Sequence, residues 1–412
     1  MSDDATNTTE APTRRDYMKY GGAVIGGGLL AGCASQSESG STPTGTETET
    51  DTPANASTDE TASTPASWTV KMEPRTEVTF ESVPAEVVVY RAVYADMLIA
   101  LGHGDALVGI QDTQNLPMDM LAQLPEVSVD TDRITPLFRD GKFDKEILYE
   151  IDADLHLIDP NQAKVNMDLN EADISELEAN VAPWLGSQIR RASSAYGPGY
   201  PYYTLYEAFE KVADAFREQQ RYQALATVHD ELISGITEQL PPVEDRPSVG
   251  LAFIIPGEEY VGSGRFFLAD PTGPGMEMKQ YRDLGVDNIW GESNIDVSKE
   301  ADYETLIDID PDVLISHNAF GFTESIEQFQ TGVVDVMRQD DIGSELTAVH
   351  NDRVYRGGKN VQGPIINLFQ TEVAAKQIYP ETFGEWKGLG NIPEGERLFD
   401  RQRVADIVNG DF

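Results

Sequence analysis

Two ten-residue blocks constrain this chain more than anything else in it. Glu146-Ile147-Leu148-Tyr149-Glu150-Ile151-Asp152-Ala153-Asp154-Leu155 lines up with Glu304-Thr305-Leu306-Ile307-Asp308-Ile309-Asp310-Pro311-Asp312-Val313. The glutamate, leucine, isoleucine and both aspartates coincide, and each block runs straight into an apolar stretch. Each also follows a Leu-Gly helix end, Leu101-Gly102 in the first series and Leu284-Gly285 in the second. A repeated order of helix, tight turn and buried strand predicts two related lobes.

The flanking pattern agrees. Strands are predicted at 87–90, 106–110 and 155–158, with helices through Ala95–Leu101 and 146–150. A second series has strands at 249–255 and 313–316, and helices around 278–284 and 303–309. Short apolar strands alternating with helices imply mainly parallel sheets covered on both faces, so the fold class is α/β with two Rossmann-like lobes. Between the series, Leu205, Ala208, Phe209, Val212, Ala213 and Phe216 start an apolar stripe that Leu225, Val228, Leu232, Ile233 and Ile236 continue to Pro241-Pro242. This predicts one long helix, about 50 Å if unbroken, bridging the lobes.

The ends of the chain set its surroundings. Arg14-Arg15, a short Gly-rich apolar run and Leu30-Ala31-Gly32-Cys33 are the parts of an export signal, too short for a stable membrane span. Cys33 is the single cysteine, placed where a lipobox would put it, and it excludes a disulfide framework. Residues 34–67 are mainly Ser, Thr, acidic, Ala and Pro and read as an extended spacer, with a weak glycosylation sequon at Asn55. The expected organisation is therefore a twin-arginine lipoprotein signal (1–33), a spacer (34–67), an N-terminal lobe (68–200), a bridging helix (201–242) and a C-terminal lobe (243–412). The roughly 345 residues after the spacer are enough for two cores. Seventy-one acidic residues against 30 basic give a formal net charge of −41, spread over the whole chain. That distribution resembles proteins of extreme halophiles, and a haloarchaeal origin is expected from it. With no basic stripe, nucleic-acid binding is excluded.

The pattern Pro84…Val87-Val88-Val89…Ala100-Leu101-Gly102…Val108-Gly109-Ile110 resembles the opening lobe of cobalamin- and siderophore-type substrate-binding proteins of ABC importers. The Asp310-Pro311-Asp312-Val313-Leu314-Ile315 block and the late Leu346-Thr347-Ala348-Val349…Asp352-Arg353-Val354-Tyr355 segment are similar to that family as well. The resemblance implies two lobes holding a ligand between them, a monomer tethered outside the membrane by lipid, and an ABC permease and its ATPase as partners. It also implies that Glu146 and Glu304 pair with arginines of the permease. The preferred ligand is a ferric siderophore, with cobalamin or haem as the alternative and a small oxyanion third. The chain itself needs no cofactor; iron or cobalt would arrive with the ligand.

Ligands of parallel α/β sheets sit beyond the carboxyl ends of strands. That rule selects Arg91 and Tyr94, Gln111, Asp159 and Asn161 in the first lobe, and Tyr260, Arg265, Phe266, His317 and Arg356 in the second. Three arginines in so acidic a chain suit an anionic ligand, and the aromatics offer flat apolar contact. Of the five histidines only His317 is placed for the cleft, so a bare metal site is not expected. No Gly-x-Ser-x-Gly elbow, phosphate loop or His-Glu-x-x-His motif occurs; Gly262-Ser263-Gly264 lacks a marked partner base. A secreted hydrolase is the competing reading from another class, and a non-enzyme is expected.

Overall fold

The structure, a computed structural model, describes residues 67–412 apart from 76, 323 and 324. The twin arginines, Cys33 and Asn55 lie outside the described residues. The described chain opens with an antiparallel ribbon, β1 (Trp68–Val70) and β2 (Val78–Phe80). Then come β3 (Val87–Val89), α1 (Ala92–Ala100), β4 (Leu107–Ile110) and β5 (Thr135–Pro136). A small ribbon, β6 (Phe138–Arg139) with β7 (Lys142–Phe143), leads to α2 (Glu146–Ile151), β8 (Leu155–Leu157) and α3 (Pro160–Asn166). Strands β5-β4-β3-β8 form one sheet, all parallel. Val87, Val88 and Val89 are buried throughout, as a strand covered on both faces must be.

Helices α4 (Leu205–Phe216) and α5 (Gln219–Thr237) follow. The second sheet, β11-β10-β9-β12-β13, uses β9 (Val249–Phe253), β10 (Phe266–Leu268), β11 (Glu300–Ala301), β12 (Val313–Ser316) and β13 (Val354–Arg356). Its centre, β9-β12-β13, is parallel, while β10 runs antiparallel to both β9 and β11. Helix α6 (Lys279–Asp283) precedes β11, and α7 (Tyr303–Ile309) sits between β11 and β12. Helix α8 (Pro364–Ile378) is buried along its whole length. Helix α9 (Arg401–Asn409) closes the chain.

The sequence repeat is a repeat of hydrogen bonds. Asp152 and Asp310 end α2 and α7 in the left-handed conformation, at φ 53° and 47°. Two residues on, Asp154 Oδ2 accepts the N–H groups of Ala85 and Glu86 at 2.8 and 3.0 Å. Asp312 Oδ2 accepts from the Ser248 N–H and hydroxyl, both at 2.8 Å. Each aspartate thus pins the entrance of the neighbouring parallel strand, β3 in one lobe and β9 in the other.

The stretch expected to form one helix over 201–242 forms two. Arg217 adopts φ 58°, left-handed without being glycine, and stops α4. Tertiary contacts hold the break. Trp68 Nε1 donates to the Asp214 carbonyl at 3.0 Å, and the Arg217 guanidinium lies 4.0 Å from the Trp68 ring centroid. Glu218 meets His103 at 3.0 Å and Arg221 at 3.1 Å. The long connecting helix is therefore α5 alone, 19 residues and about 28 Å.

Candidate functional site

The carboxyl ends of β3 and β8, and of β9 and β12, carry the polar groups between the lobes. Arg91 follows β3 as the extended N-cap of α1, and its side chain makes no cap hydrogen bond. Its guanidinium lies 5.3 Å from the Tyr90 ring centroid. With the Gln162 amide turned so that its oxygen faces Arg91, it accepts from Arg91 Nε at 2.6 Å. Burial, and then the neighbouring Arg190 charge, lower the Arg91 pKa, while Tyr196 and Glu277 act in the opposite sense.

Asp159 follows β8 and caps α3 through the Asn161 N–H at 2.7 Å. Its other oxygen accepts from the Gln188 N–H at 2.8 Å and from the Tyr200 hydroxyl. Burial raises its pKa against those hydrogen bonds. Tyr196, Tyr200 and Tyr202 pack in series beside it as tilted rings, with centroids 5.4 and 4.7 Å apart. Asn161 and Gln111 are half-buried nearby at the ends of their elements.

His317 is the repeat counterpart of Asp159, the residue immediately after the equivalent strand in the other lobe. It is fully buried, with edge-on aromatic contacts to Phe253 at 5.2 Å and Tyr281 at 5.8 Å. Neither ring nitrogen has a hydrogen-bond partner among the described residues. Burial, with Arg190 and Arg191 close by, pushes its pKa down to about 3, so the ring is neutral.

The two lobes meet directly here. The Met276 and Glu277 N–H groups donate to the carbonyls of Ile189 and Arg190, at 2.8 and 3.0 Å. Gly275 permits that approach: at φ 103°, a Cβ there would run into the Arg190 carbonyl. Arg190 Nη2 donates to Glu277 Oε1 at 2.6 Å, and Arg191 Nε lies 3.6 Å from Oε2. A cavity of about 220 Å³ opens beside this cluster, lined by Arg191, Phe253, Leu268, Glu277, Met278 and Arg282. A second basic group sits at the end of β13. Arg356 lies 4.2 Å from the Phe320 centroid, and both it and Lys359 feel the charge of Asp119 from the opposite lobe. Burial lowers the pKa of both cations.

Several sequence expectations need correction. Tyr94 is a core residue of α1: its hydroxyl donates to the Ser187 carbonyl at 2.8 Å and accepts from the Ser187 N–H at 2.7 Å, leaving nothing for a ligand. Phe266 is fully buried against Tyr303, centroids 4.8 Å apart, because alternation along β10 turns it into the C-lobe core. Arg265 spends its guanidinium on Glu300 at 2.7 and 2.9 Å and on the Glu259 carbonyl at 3.0 Å. Tyr260 lies beneath it, 5.4 Å from centroid to guanidinium, so this pair belongs to the β9–β10 turn. Arg190 lies near both Arg91 and His317, and Tyr196 near both Arg91 and Asp159, whose cap partner is Asn161. The structure adds Arg190, Arg191 and Glu277 to this group and Lys359 to the one at Arg356; strand-end reasoning missed all four because they lie in irregular segments. The signal available was the Arg190-Arg191 pair itself, rare in so acidic a chain.

Among the described residues, no group of three or more His, Cys, Asp or Glu is placed to hold a metal ion. Nor is any described helix long and apolar enough to cross a membrane.

The family model described as periplasmic binding protein matches residues 87–361. No curated protein sequence matches the chain. A periplasmic binding protein from Veillonella parvula is similar in structure, with TM-score 0.55 at 16% identity over 76% of this chain and 97% of that one. The iron uptake ABC transporter substrate-binding protein PiuA from Streptococcus pneumoniae gives 0.51 at 16% identity, over 74% and 96%. The petrobactin-binding protein YclQ from Bacillus subtilis gives 0.51 at 17%, over 76% and 97%. At these identities the likeness is one of fold.

Proposed function

Since this chain belongs to the periplasmic binding protein family, we propose that it is the extracytoplasmic receptor of an ABC importer, capturing an anionic ferric siderophore between its lobes. The observation that carries this reading is the placing of Arg91, Arg190 and Arg191 close together where the lobes meet, with Arg356 and Lys359 forming a second basic group that faces Asp119 of the opposite lobe. The chain holds only 30 basic residues against 71 acidic, so cations concentrated between two lobes have a role that surface charge does not give them. Guanidinium groups take carboxylate or catecholate oxygens in bidentate fashion, and the tyrosines beside Arg91 supply flat contact. The iron-uptake and petrobactin-binding names of two similar structures point the same way. Haem is less well served: His317, the one histidine in the cleft region, is fully buried beneath Phe253 and Tyr281.

Delivery follows from the exposed repeat. Glu146 and Glu304 are exposed in the first turns of the equivalent helices α2 and α7, and in this reading they orient the loaded receptor on the permease and its ATPase. Lipidation at Cys33 and the 34–67 spacer would hold it within reach of that partner. A thermal-shift screen in multimolar salt against ferric siderophores, cobalamin, haem, molybdate and divalent metals tests the reading. A rise in Tm with anionic ferric chelates supports it, and turnover of a peptide or sugar with no chelate response would replace it with the hydrolase.

A further inference from the structure

Glu277 stands out among the groups of the cleft because it has the wrong sign for it. Its side chain is only 4% exposed and lies amid guanidinium groups. Arg190 holds Oε1 at 2.6 Å, Arg191 Nε stands 3.6 Å from Oε2, and the Glu277 charge also acts on Arg91. Oε2 accepts no hydrogen bond among the described residues. A buried carboxylate with one oxygen unsatisfied is costly to keep, since each unmade hydrogen bond forfeits its desolvation. Its backbone does not require the side chain. The inter-lobe hydrogen bonds at this point use the N–H groups of Met276 and Glu277, which any residue but proline provides.

We propose that Glu277 is a built-in counter-anion, a specificity-determining carboxylate that competes with the ligand's own anionic oxygens for Arg190 and Arg191. The inference rests on the receptor reading and names the property of the ligand to which this carboxylate responds, its negative charge. A ligand group carrying full anionic charge and two oxygens can replace the Glu277 contact, which is bidentate to neither arginine. A neutral chelate cannot, and must bind with the Arg190–Glu277 pair still closed. The carboxylate therefore sets how tightly charged ligands are held: it weakens anionic ligands, which must displace it, and leaves neutral ones, which bind with the pair closed, nearly unaffected. Because the pair joins segments of both lobes, exchange of Glu277 for a ligand oxygen also loosens one inter-lobe tie as the ligand is taken up.

The test is isothermal titration of the full chain and of Glu277→Gln with two probes, anionic ferric citrate and neutral ferrichrome. Removing the competing charge should tighten ferric citrate about tenfold and change ferrichrome less than twofold. Glu277→Asp keeps the charge but lengthens its reach to Arg190, and should tighten ferric citrate by a smaller factor, about two- to threefold. It serves if the glutamine variant does not fold. Equal changes for both probes, or weaker ferric citrate binding by the folded variants, would overturn the counter-anion while leaving the receptor reading intact. Failure of wild type and variants alike to bind either chelate would overturn both.

Discussion

Arg190 Nη2 lies 2.6 Å from Glu277 Oε1, and this ion pair joins the segment leaving the first sheet to the segment entering α6 of the second lobe. The side chains are 14% and 4% exposed, and main-chain hydrogen bonds run alongside them. The lobes are thus tied at the floor of the cleft as well as through α5.

Removing one partner of such a pair leaves the other charged and buried. Arg190→Met should lower unfolding free energy by about 3 kcal/mol, because Arg191, at 3.6 Å, replaces the lost contact only in part. Denaturant unfolding at fixed salt measures it. A change below about 0.5 kcal/mol, the size of an exposed pair, would show that the tie contributes little.

The repeat makes a paired prediction. Asp154→Ala and Asp312→Ala each leave two donors at a strand entrance without their acceptor. Each should cost about 1–2 kcal/mol, with similar values in the two lobes. Asp312→Ala costing nothing while Asp154→Ala unfolds the chain would mean that the repeat is one of sequence and not of energetics.

Asp96 gives the stability a pH dependence of unusual sign. It is fully buried in α1 and accepts the Ile366 N–H at 3.1 Å at the start of α8. Burial pushes its pKa from 3.8 up to about 7 despite the backbone hydrogen bonds of Gly363, Ile365 and Ile366. Between those values the folded chain keeps a proton that the unfolded chain loses, so this group's contribution to stability falls as pH rises from about 4 to about 7. His156 and His317, lowered by burial to about 4 and about 3, act oppositely and add stability as pH rises toward 6.5. The difference between wild type and Asp96→Asn isolates the carboxyl. Asparagine can still accept the Ile366 N–H, so the variant should gain on wild type as pH rises across that window. Parallel stability curves would contradict the assignment.

Glu146 and Glu304 are exposed in the first turns of equivalent helices, and the proposed function gives them a docking role. Replacing both with glutamine should abolish uptake into cells and leave affinity in solution within about twofold. Loss of solution binding would show that they act on the ligand site and not on the permease.

Much of this architecture was legible from residues alone. The parallel strands came from β-branched runs such as Val87-Val88-Val89, and α7 and β12 fall where the repeat placed them. Arg217 was not legible as a break: nothing local forbids helix there, and the left-handed turn depends on Trp68, nearly 150 residues earlier in the chain. Tyr94 and Phe266 failed as cleft residues for a related reason. Tyr94 lies a turn past β3 and Phe266 opens β10, and at either kind of position a side chain can face the core as readily as the ligand, so only packing decides. Glu277 could not be singled out among 71 acidic residues until its two arginines were beside it.

The most direct test of the account is titration of the full chain with an anionic ferric siderophore in multimolar salt, comparing wild type with Arg91→Gln. Wild type should bind saturably and one to one, and the folded variant at least tenfold more weakly, since Arg91 presents its guanidinium at the end of β3 against the Gln162 amide. Saturable binding of cobalamin or haem with none of the ferric chelate, or equal affinity of the two proteins for it, would contradict it.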